Sequence, residues 1–123
     1  MGPPASIEDV DFGPRWVKAN AAEWNAVASS LGGIDFSSDG HQVMLSAMRP
    51  RDRMFTATPL PEHAGVDASL KYVVGCWPIF DPYARYLFAQ DAGKDGLVKS
   101  TERFFGGVEQ MRERESSGVA WAW

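Results

Sequence analysis

This chain has little of what covalent chemistry or membrane insertion would need. It holds one cysteine, Cys76, so an internal disulfide framework is excluded. It holds two histidines, His41 and His63, and no pair at a spacing that binds metal, such as one helical turn apart. There is no Gly-x-Ser-x-Gly elbow, no phosphate-binding glycine loop and no dinucleotide fingerprint. No catalytic residue, metal ligand or cofactor is therefore assigned. The longest apolar stretch, 72–80, is broken by Gly75 and Pro78 and is far too short to cross a bilayer. The first residues, Met1-Gly2-Pro3-Pro4, lack the basic and apolar regions of a secretory leader, so the expectation is a soluble cytoplasmic protein with no membrane role. Excess positive charge is missing too. The formal net charge is −4, which argues against a duplex nucleic-acid binder, since that work needs a basic face.

What remains is apolar and aromatic. Hydrophobic residues make up 45% of 123 positions, enough for a core without staples and of a size for one domain, 1–123. Five tryptophans are present, two of them in the terminal Val119-Ala120-Trp121-Ala122-Trp123. That segment alternates with period two, so Val119, Trp121 and Trp123 share one face of an extended strand. Indole rings of roughly 150–250 Å² each are costly to leave in water. The strand is expected either to close a sheet of its own domain or to add to a partner.

Along the chain, residues 1–12 read as an extended arm. A helix is predicted from Pro14 to Leu31, with Val17, Ala21, Trp24, Val27, Ala28 and Leu31 on one face, Trp16 beside it, and Gly32-Gly33 as the stop. Ile34–Phe36, His41–Arg49 and Met54–Thr58 read as an antiparallel meander, the second by its alternation of Val43, Leu45 and Ala47. Segment 69–77 fits a helix or a strand, with the helix slightly favoured. Asp81-Pro82 opens a helix to about Gln90. A longer helix, 95–115, carries Gly106-Gly107 inside it, where it must bend or split or admit another backbone. The expected fold is α+β, an antiparallel meander of about three to five strands with helices on one face and the N-terminal helix first.

The reading of function that follows is a non-enzymatic interaction protein that forms a homodimer or docks another protein. Trp121, Trp123, Trp16 and Phe105 are the candidate contact residues, the last because Phe104 and Phe105 cannot share one helix face. Two other readings stay open. His41, Trp77, Tyr83 and Tyr86 could line an aromatic pocket for a small hydrophobic ligand. Arg49, Arg51 and Arg53, crowded on a proline turn, could contact an anion or a nucleic acid. Cys76, between Gly75 and Trp77, reads as a buried, inert thiol.

Overall fold

A strand of β-branched residues, β2 (Val73–Cys76), pairs in parallel with β1 (Gly33–Phe36) in the register Gly33↔Val73, Ile34↔Val74, Asp35↔Gly75 and Phe36↔Cys76. The computed structural model describes residues 5–116, with side chains to residue 113. Parallel neighbours cannot be joined by a tight turn, so the chain must cross over. Here it does so through α2 (Ser37–Met48), which packs against both strands and against α1 (Ala5–Asn20). The described chain divides into two compact units, residues 5–78 and 79–116. The first holds this βαβ arrangement and the second holds three helices.

The two-stranded parallel sheet replaces the expected antiparallel meander of three to five strands. His41–Arg49 is helical, not extended. Its alternation also places His41 and Leu45 four residues apart, and both are buried on one side of α2. Gln42, Met44, Leu45, Ala47 and Met48 are good helix formers with no β-branching, which decides the matter. Met54–Thr58 is a turn. The Asp52 carbonyl accepts from Phe55 N and Thr56 N at 3.0 and 2.9 Å, and its carboxylate accepts from Met54 N at 2.9 Å. This coil seats Phe55 fully inside. Segment 69–77, leaning to helix in the sequence, contains β2.

The first helix starts earlier than Pro14, and residues 5–12 belong to it rather than to an extended arm. Its inward stripe is Ile7, Asp11 and Arg15, four residues apart. Two of those three are charged, so an apolar pattern could not reveal them. Pro14 lies within α1 despite its missing donor. Short 3-10 turns follow at Ala21–Trp24 and Ala28–Ser30, separated by Asn25 in the left-handed region.

In the second unit, Asp81 caps α3 (Pro82–Asp91) by accepting from Ala84 N at 2.8 Å. α4 (Asp95–Phe105) and α5 (Val108–Ser116) divide the predicted long helix at Gly106 and Gly107, both at positive φ. Side-chain bonds cross-link the three helices. Tyr86 Oη donates to Glu102 at 2.7 Å, and Arg112 Nε donates to Tyr83 Oη at 3.2 Å. The segment 119–123, expected to be a strand, lies outside the described residues.

Candidate functional site: the uncovered face of the parallel pair

Side chains alternate across a sheet, so the register sorts β1 and β2 into two faces. The inner face carries Gly33, Asp35, Val73 and Gly75. α2 covers it, and a Cβ placed on Gly33 would touch Val43 of α2 at 3.3 Å. The outer face carries Ile34, Phe36, Val74 and Cys76. Among the described residues nothing buries it: Ile34 is 66% exposed, Phe36 50% and Val74 48%. Tyr72, two residues before Val74, is 60% exposed and lies over Gly32, where a Cβ would overlap its ring. Trp77 extends the patch. It is 77% exposed and meets Phe36 edge-on at 5.9 Å between centroids. Its φ of +44° is strained for a bulky residue.

Parallel strands are almost always covered on both faces. A contiguous patch of three aromatic and two branched aliphatic side chains is what a soluble surface normally avoids. Cys76 sits half-buried at its margin rather than in a sealed core.

Beneath the patch, on the covered face, lies Asp35. It is 3% exposed, and neither carboxylate oxygen has a hydrogen-bond partner among the described residues. Burial pushes its pKa up, and the nearby charge of Asp39 adds to the effect. Gly40 makes room for it, since a Cβ there would run into the Asp35 carboxylate and Pro78.

A second polar feature stands apart in the same unit. Arg15 Nε donates to Asp11 at 2.7 Å, and Arg15 Nη2 donates to the Thr58 carbonyl at 2.9 Å. Ser46 Oγ donates to Asp11 at 3.3 Å. Burial raises the Asp11 pKa in spite of these partners. Nearby, Asp67 receives Lys18 Nζ at 3.2 Å and Arg51 Nη2 at 2.9 Å. Burial opposes its ionisation, but hydrogen bonds from the Ser69 hydroxyl and amide, and from Lys18, outweigh that and hold Asp67 at about 2. Arg15, Arg51 and Asp67 line a cleft of about 510 Å³ whose other walls are largely apolar, from Pro50, Leu60 and Val66 among others.

The residues singled out in the sequence fall as follows. Trp16 is half-exposed and tilts against Trp24, 5.5 Å between centroids. Phe105 is buried. Trp121 and Trp123 lie outside the described residues. His41 is buried on α2 and Trp77 is exposed in the same unit. Tyr83 and Tyr86 stack 6.3 Å apart in the other unit. Of the turn arginines, Arg49 pairs with Asp52 at 2.6 Å and lies 5.7 Å from the Phe55 ring centre, and Arg51 reaches Asp67. Arg53 is exposed. The turn therefore does not present three arginines as one cluster.

Sequence reasoning missed Ile34, Phe36 and Val74 because the outer face exists only once β1 and β2 are paired. It missed Arg15 and Asp67 because the cleft joins segments far apart in the chain. Among the described residues, no three His, Cys, Asp or Glu side chains are grouped to hold a metal ion, and no helix is long and apolar enough to cross a membrane. No protein-family model, curated protein or solved structure matches this chain.

Proposed function

We propose that this chain is an interaction module whose partner is a second copy of itself, joined through the outer face of β1 and β2. The uncovered apolar face of a parallel pair carries the reading. Removing it from water supplies the driving force, at roughly 25 cal/mol per Å². Area favours a second copy that brings more than the same patch. At roughly 150–250 Å² per ring, the exposed parts of these five side chains offer on the order of 500 Å². A stable interface uses about 800 Å² per partner. The sequence itself offers a complement, since Val119, Trp121 and Trp123 recur at every second position, the spacing that would put them on one face were that segment to add as a strand, and two more indoles would make good the difference. A two-stranded sheet also has open edges to which such a segment can add.

Sedimentation of the full chain tests this. The wild type is expected to run as a dimer. Phe36→Ser with Trp77→Ser is expected to run as a folded monomer. Trp121→Ser with Trp123→Ser should weaken the dimer by at least tenfold while far-UV circular dichroism stays unchanged. A wild type that remains monomeric at high concentration overturns the proposal, as does a dimer indifferent to Phe36 and Trp77.

A further inference from the structure

The cleft beside Arg15 lies outside the interaction surface and has the make-up of a small-molecule site. Its volume of about 510 Å³ falls within the usual range for ligand pockets, roughly 300–1,000 Å³. Pro50, Pro59, Leu60, Pro61, Ala64 and Val66 supply an apolar wall. Two arginines from distant parts of the chain line the cleft as well, Arg15 with its side chain only 6% exposed and Arg51.

The charges around the cleft do not balance. Among the residues that line it, Arg15 and Arg51 face one carboxylate, Asp67. One positive charge is left over in a chain whose net charge is −4. The bonds of Arg15 to Asp11 and Thr58 use two of its five N–H donors and fix the plane of the group. Arg51 differs. Its side chain is 84% exposed, and among the described residues its one ion pair is to Asp67, which Lys18 also pairs with. It can leave Asp67 without stranding a charge.

We infer that this cleft binds a small monoanion, a carboxylate carried on an apolar body, with Arg15 and Arg51 as the two charged contacts. The planar guanidinium matches a carboxylate with two parallel hydrogen bonds. The proline-rich wall takes the apolar remainder.

Benzoate is a suitable probe, with neutral benzamide as its shape control. Each is titrated into the isotopically labelled full chain, and amide resonances of Gly65, Val66 and Asp67 are followed by NMR. Benzoate is expected to shift them saturably and benzamide is not. Arg51→Gln should weaken benzoate by about tenfold, the value of one charge-assisted contact. Gly65→Phe should abolish binding. A Cβ there meets nothing within 4 Å and needs no left-handed backbone, and Gly65 lines the cleft, so a bulky side chain is tolerated at its wall. If that variant misfolds, Arg51→Gln, on an exposed side chain, decides alone. No saturable shift with benzoate, equal binding of benzamide, or unchanged affinity in Arg51→Gln overturns the inference. None of these results bears on self-association.

Discussion

Asp35 shows how one side chain sets a pH dependence. A carboxylate buried without partners keeps its desolvation cost whenever it is ionised. Its folded pKa is raised above the unfolded value of 3.8. Below 3.8 the group is neutral in both states and costs little. As pH rises past 3.8 the unfolded chain loses the proton first, so this group makes the fold less stable until pH exceeds the folded pKa. Asp35→Asn should therefore raise stability at pH 7 by about 1 kcal/mol or more. The gain should shrink toward zero as pH falls below 3.8, as thermal unfolding at several pH values would read. A gain of equal size at low pH would show that ionisation is not the source of the cost. Asp67 has the opposite sign. Held at about 2, it stabilises the fold above 3.8, and that contribution fades as pH drops toward 2.

At the scale of elements, the readable parts were those with local punctuation. Asp81-Pro82 marks the start of α3 because the cap and the missing proline donor act within one turn. Gly106-Gly107 marks the break between α4 and α5 for an equally local reason, since φ values of 84° and 126° suit glycine alone. Gly106→Ala should cost about 1 kcal/mol, the penalty of a Cβ in the left-handed region. Gly107→Ala should cost more, because its φ of 126° lies outside the small left-handed well that other residues can reach. Chemical denaturation of each variant checks the order. α2 was harder to read. Val43, Leu45 and Ala47 satisfy period two, and the helical face that won carries Gly40 and His41 as well as Leu45. Its inward side packs on a glycine-rich strand pair, so small and polar residues occupy positions where a pattern reader looks for large apolar ones. The stripe of α1 was hidden in the same way by Asp11 and Arg15.

For the whole molecule, the sequence named its large aromatic residues but not where each one falls. Trp77 was legible as an aromatic of interest, yet the patch around it depends on a parallel register between segments 40 residues apart. The arginine turn was legible as a cationic feature. Its split between Asp52, Asp67 and the cleft was not, because ion-pair partners 16 residues away leave no periodic trace. Trp77 has a last implication. Its backbone stands where glycine would be at ease, so the free chain carries strain to hold that indole outward. Trp77→Gly should melt at a higher temperature and yet assemble less well. An evolving population selected only for heat resistance would discard this residue early, and its retention would then be a vote for company over solitude.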